Sequence, residues 1–211
     1  MTFGKVAIIG DSYSTFVGCI PENYHAYYGM EKHADTGVLR REDTWWDLLI
    51  RETNSTLVLN NSYSGSTVCT TGRPDLPAWS AFAVRAPLFF KGETKFDTIF
   101  FLGGTNDSWI DSPLGDPTVK EWDAYTDEDK KFVLPAIGYV LGYLRAHNPA
   151  ARIVAIVNNG LKPEIAKTII EAAKRFACDT VELSGISKIH GHPDPLGMKQ
   201  IKDQILDALK K

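Results

Sequence analysis

Five short runs of apolar and β-branched residues recur along the chain, separated by stretches with helical spacing, and this alternation restricts the fold more than any other feature. The runs cover residues 6–9, 56–59, 98–102, 153–157 and 179–183. The first, third and fourth are almost continuously apolar, as strands buried on both faces must be. Helical patterns occupy residues 44–51, 78–90, 128–147, 163–176 and 195–209. Strands alternating with helices predict an α/β fold in which a five-stranded parallel sheet is covered by helices on both faces and linked by right-handed crossovers. Ligands in such sheets bind beyond the carboxyl ends of the strands, near the point where the strand order reverses. The residues that leave each strand are therefore where chemistry is to be sought.

Length and composition limit the alternatives. The chain has 211 residues, 44% of them hydrophobic and 23% charged, which suits a folded core and excludes disorder, collagen and coiled coil. No internal repeat, low-complexity tract or linker interrupts it, so one domain over residues 1–211 is expected. The net charge of −3 and the lack of a basic run argue against a nucleic-acid partner. No stretch approaches the ~18 consecutive apolar residues of a membrane span. Met1 to Lys5 pass straight into the first strand with no secretory h-region, which points to the cytoplasm. Cys19, Cys69 and Cys178 are odd in number and lack C-x-x-C spacing, so reduced thiols are expected rather than disulfides or a zinc site.

Four strand exits carry polar residues. Gly10-Asp11-Ser12 follows the first strand, where a serine can present its hydroxyl with main-chain N–H groups beside it; Asp and Ser at such a turn are also common helix caps. Asn60 to Thr67 follow the second, and Gly65 there lets the backbone approach a ligand closely or merely makes a turn. Gly103-Gly104-Thr105-Asn106-Asp107 follows the third, where an Asn amide suits an oxyanion donor and equally an Asx turn. Gly191-His192-Pro193-Asp194 precedes the last helix, and a histidine there can reach a serine after the first strand as its general base. The other histidines, His25, His33, His147 and His190, have no comparable setting.

Taken together, the order Ser, Gly, Asn, His places a nucleophile, two oxyanion donors and a base on one rim, and here the chain resembles the SGNH hydrolase superfamily of GDSL-type lipases, esterases and acetyl-hydrolases. Its motifs stand as Gly10-Asp11-Ser12 with Tyr13 where the family has Leu, Gly65 in Asn-x-x-x-Ser-Gly, Gly104-Thr105-Asn106-Asp107, and His192-Pro193. The resemblance implies a flavodoxin-like three-layer α/β/α sandwich. It also implies catalysis by Ser12 and His192, an oxyanion hole from the Ser12 and Gly65 N–H groups and the Asn106 side chain, and no metal or organic cofactor. The implied substrate is a small-molecule ester or an acylated carbohydrate, with short acyl groups favoured because no apolar lid helix is evident.

One departure stands out. Where the family carries an Asp three residues before the histidine, this chain has Ile189. A main-chain carbonyl near Ile189, a carboxylate from elsewhere such as Glu182 or Asp194, or a loss of activity are the three readings this leaves, the first making a Ser–His dyad. A rival reading is a non-catalytic flavodoxin-like binding module using the same rim; another is thioester or amide hydrolysis by the same groups. The aperiodic, aromatic stretch 19–30 is expected either to wall a pocket or to pack on its own tyrosines. Trp109 and Trp122 are expected to pack or to stack on sugar faces, Trp45 and Trp46 to lie in the core after an N-cap at Thr44.

Overall fold

A computed structural model describes residues 1–210. Its main sheet has five parallel strands, β1 (Lys5–Gly10), β2 (Thr56–Ser62), β3 (Thr98–Leu102), β4 (Arg152–Val157) and β5 (Asp179–Glu182), in the order β2-β1-β3-β4-β5. The chain runs from β1 out to the β2 edge and then crosses back to β3, so the reversal lies at β1. There Gly10 pairs with Ser62 on one side and with Leu102 on the other. The loops after β1, β2 and β3 consequently start from three adjacent points on one rim.

Side chains alternate between two cores, as the strand period of two requires. Ala7, Ile9, Ile99, Phe101, Ile153 and Ala155 face α2 (Phe82–Phe89), α4 (Val133–His147) and α5 (Pro163–Arg175). Val6, Ile8, Phe100, Leu102, Val154 and Ile156 face α1 (Trp45–Glu52) and α6 (Pro195–Leu209), with Trp45 and Trp46 fully buried among them. Thr44 caps α1, its hydroxyl accepting from the Asp47 N–H at 3.4 Å. Both faces of the sheet are covered, and the three-layer α/β/α architecture follows.

Two expected helices are shorter than their patterns. A helix running from residue 128 would set the Pro135 ring against the Lys131 carbonyl; instead Phe132 is extended, and α4 begins at Val133 with Pro135 in its first turn. Residues 78–90 are divided at the extended Ala81, which lets the Phe82 and Ala83 N–H groups donate to the carbonyls of Thr67 and Val68. The structure adds a five-residue helix, α3 (Thr105–Trp109), and a two-stranded hairpin of β6 (Lys188–Ile189) and β7 (His192–Pro193). Among the described residues no helix is long and apolar enough to cross a membrane.

Candidate active site

Ser12 lies at the start of a single 3-10 turn leaving β1 and is buried. Its Oγ is 3.0 Å from Nε2 of His192, which sits on β7. The hairpin that carries His192 turns through His190 and Gly191, with φ of +49° and +78°. Positive φ at both central residues is what a type I′ turn requires. Ile189 is thereby paired with His192 across the hairpin and has no role toward the imidazole edge. That edge meets the His190 carbonyl, 3.2 Å from Nδ1. A carbonyl only accepts, so Nδ1 carries the proton and the Nε2 lone pair faces the Ser12 hydroxyl. Glu182 is exposed on β5 and makes no contact of this kind; Asp194 caps α6, accepting from the Gly197 N–H at 2.8 Å and the Ser187 hydroxyl at 2.7 Å.

Aromatic groups fix the imidazole further. Tyr27 stacks on it with ring centroids 3.5 Å apart and an interplanar angle of 7°, and His33 stacks on the far side of Tyr27 at 3.8 Å. The Tyr13 hydroxyl donates to the Gly191 carbonyl at 2.5 Å and the Tyr28 hydroxyl to the Pro193 carbonyl at 2.8 Å, one on each side of His192 in the chain. Tyr13 thus has a positioning contact that a leucine at this point of the motif cannot make. Burial is the main cause that pushes the His192 imidazole down to about 4; the charges of His33 and Lys188 act the same way, and the bond to His190 opposes them.

The other two strand exits converge on the same place. Gly65 holds φ at +84°, and neither its N–H nor that of Ser12 has a hydrogen-bond partner among the described residues. Gly104, at φ +92°, turns the chain from β3 into α3, a conformation costly for any residue with a Cβ. Asn106 then donates from Nδ2 to the Ser66 carbonyl at 2.9 Å, which leaves one of its two amide protons uncommitted. Asp107 accepts from the Val68 N–H at 2.9 Å, cross-linking α3 to the segment after Gly65; burial pushes its carboxyl up to about 6.

Beneath these loops lie Arg85, to which the strand-exit pattern assigns no role, and Asp11, which caps the turn after β1 as an Asp at such a place commonly does. Arg85, on α2, is wholly buried and bonds the carbonyls of Ser80, Gly10 and Asn61 and the Ser66 hydroxyl. Its position on a helix of mixed pattern left no sequence signal of burial. Asp11 accepts from the Tyr13 N–H through Oδ1 at 3.1 Å, while its buried Oδ2 has no partner. Burial, aided by the nearby Asp107 charge, pushes the Asp11 carboxyl up to about 7. The folded state therefore holds a proton that the unfolded chain releases near pH 4, so this contribution to stability is complete at low pH and is lost as pH rises toward 7. Asp11→Asn should match wild type near about pH 4 and become progressively the more stable protein by about pH 8, by up to on the order of 4 kcal/mol. Urea denaturation of both proteins across that range checks this; a difference independent of pH would mean that Asp11 titrates normally.

The site opens into a cleft of about 550 Å³. The stretch 19–30 does both things considered for it: Tyr24, Tyr27 and Met30 wall the cleft, whereas Tyr28 is buried in the core. Trp109 lies across from them with its ring edge-on to His192 at 5.5 Å. Trp122 faces away, packed against Tyr143 and His147 beside α4.

A family model described as GDSL-like Lipase/Acylhydrolase matches residues 4–209. The crystal structure of a GDSL-like lipase candidate from Bacteroides uniformis ATCC 8492 is 35% identical, with a TM-score of 0.89 over 98% of this chain and 95% of that one. Its counterpart from Bacteroides ovatus ATCC 8483 is 34% identical, with a TM-score of 0.88 over 100% and 99%. A carbohydrate acetylesterase from Sinorhizobium meliloti shares the fold at 14% identity, with a TM-score of 0.61 over 98% of each chain. No curated protein matches at a significant level.

Proposed function

The chain belongs to the GDSL-like lipase/acylhydrolase family and is an ester hydrolase, and we propose that it works through an acyl-enzyme on Ser12 with His192 as general base. The observation that carries this reading is the 3.0 Å contact between Ser12 Oγ and a His192 Nε2 whose other nitrogen is committed to the His190 carbonyl.

In this mechanism Ser12 Oγ attacks the ester carbonyl carbon as its proton passes to Nε2. The carbonyl oxygen gains its negative charge beside the free N–H groups of Ser12 and Gly65 and the remaining Asn106 amide proton. One such preorganised donor is worth ~3 kcal/mol in the transition state. Collapse breaks the bond to the alcohol, which leaves with the proton from Nε2. A water then attacks the acyl carbon, giving its proton to Nε2; Oγ departs, recovers that proton, and the free acid is released. The His190 carbonyl holds the tautomer but brings no negative charge to the imidazolium, so the machinery is a dyad.

Short acyl groups, acetyl on a carbohydrate among them, suit the cleft best. Its volume is modest, and the half-exposed Trp109 ring stands at its mouth beside His192. Turnover should fall as the acyl chain lengthens from acetyl to octanoyl; a steady rise would replace this substrate assignment with a lipase.

A fluorophosphonate tests the nucleophile. Intact mass spectrometry should find one adduct on wild type and none on Ser12→Ala. A folded wild type that stays unlabelled would mean that the carboxylate absent from position 189 is essential, and the rim would then be a binding site.

A further inference from the structure

Among the side chains in the cleft that have no part in the reaction just described are a guanidinium and an ammonium, those of Arg73 and Lys32. No Asp or Glu lines the cleft with them. Arg73 is not merely present. Asp75 takes its Nε at 2.7 Å and its Nη2 at 2.5 Å, a two-point grip on one edge of the guanidinium fork. The remaining nitrogen, Nη1, lies against Gly65, 3.2 Å from where a Cβ on that residue would stand. Gly65 is one of the two residues with an unpartnered N–H at the nucleophile. A guanidinium clamped in this way is preorganised, so it loses little rotamer freedom when it meets an anion. Lys32 stands on the segment that also carries His33, and therefore on the wall formed with Tyr27.

We propose that the ester hydrolysed here carries an anionic group, a carboxylate or an equivalent oxyanion, close to the scissile carbonyl, bound by Arg73 through Nη1 with Lys32 adding charge. This rests on the hydrolase reading above and narrows it to esters of acidic molecules. The anion has two sources: the acid portion, as in a half-ester of a dicarboxylic acid, or the alcohol portion, as in an acylated acidic sugar. The Asp75 pairing is part of the device, because it orients the fork without covering Nη1. It also draws the Asp75 carboxyl down to about 2, so Asp75 stays ionised, and its grip on Arg73 with it, at neutral pH.

Two ester pairs test this and separate the sources. Monophenyl succinate against its methyl ester places the charge on the acyl side; 4-acetoxybenzoate against its methyl ester places it on the alcohol side. One charged ester should exceed its neutral partner by about tenfold in kcat/KM, mainly through KM, with the advantage eroded by added salt. Arg73→Gln should bring that ratio down by roughly tenfold and Lys32→Gln by a few-fold. The inference is overturned if neither charged ester is preferred, or if the preference survives both substitutions. Calorimetric binding of the same compounds to Ser12→Ala keeps the outcome separate from that of the hydrolase reading. A carboxylate preference that depends on Arg73 but accompanies no turnover and no fluorophosphonate adduct would sink the enzyme and keep the anion site. Equal binding of acid and methyl ester would sink the anion site alone.

Discussion

His192→Ala should lower kcat by about 10⁴ to 10⁶ and leave KM nearly unchanged, because the imidazole acts on the proton of Ser12 rather than on the bound ester. The pH profile of wild type adds a second signature. A general base works only when unprotonated, and the buried imidazole, stacked on one face by Tyr27 and pushed down to about 4, stays neutral well below the pH at which an exposed histidine protonates. The acid limb of kcat/KM should therefore fall near about pH 4 instead of about 6.5. Esterase assays between about pH 3.5 and 8 decide it. An acid limb near 6.5 would show that His192 is solvated in the working enzyme and that the Tyr27 stack is not maintained.

Arg85→Met should be the most damaging substitution for stability. It keeps much of the side-chain volume but takes the guanidinium donors from the carbonyls of Asn61 and Ser80 and leaves the Gly10 carbonyl with only the Tyr63 N–H and the Ser66 hydroxyl with only the Tyr63 carbonyl, all in the interior. Each buried acceptor left alone costs ~1–3 kcal/mol, and a network broken from one side costs roughly 3–5 kcal/mol. For a chain of this size that is a fall in Tm on the order of 10 °C. Activity should decline as well, since Gly10 lies two residues before Ser12 and Ser66 one residue after Gly65. Arg85→Lys, which keeps the charge but not the fork, should fall between the two. Thermal melts with Ser12 labelling check both effects. A Met variant as stable as wild type would mean that water takes over the stranded carbonyls.

The fold was readable because its signal is periodic. Continuous apolar runs at residues 6–9, 98–102 and 153–157 have few other uses in a chain of this length, and their alternation with helices leaves little choice of architecture. The places of Ser12, Gly65, Asn106 and His192 were readable for a related reason: each falls within four residues of the end of a main-sheet strand or the start of α6, so its place on the rim follows from topology. What escaped depends on contacts that no local pattern encodes. Tyr27 lies in an aperiodic loop, and its stacking partner is 165 residues further along the chain. Arg85 sits among Phe82, Ala83, Val84 and Ala86, where a single charge reads as the solvent side of a helix; its burial becomes evident only once β1 and β2 have brought their carbonyls to it. Trp122, an aromatic that the sequence did not distinguish from Trp109, turned the other way because the Tyr143 and His147 rings offered it a seat.

The hairpin turn at His190 and Gly191 has one more consequence, for how this site can change. An orienting carboxylate is a side chain, and a single codon change removes it. Here the acceptor for Nδ1 is a peptide carbonyl, which every residue at position 190 supplies, and what must be inherited is a backbone shape. An alanine scan across this segment would single out His192 and would register the turn only through the strain of a Cβ at Gly191, where φ is +78°, passing over the acceptor carbonyl itself, which it cannot delete. Drift in the loop can reach that element only through the turn itself, by lengthening it or by placing β-branched residues where φ must be positive.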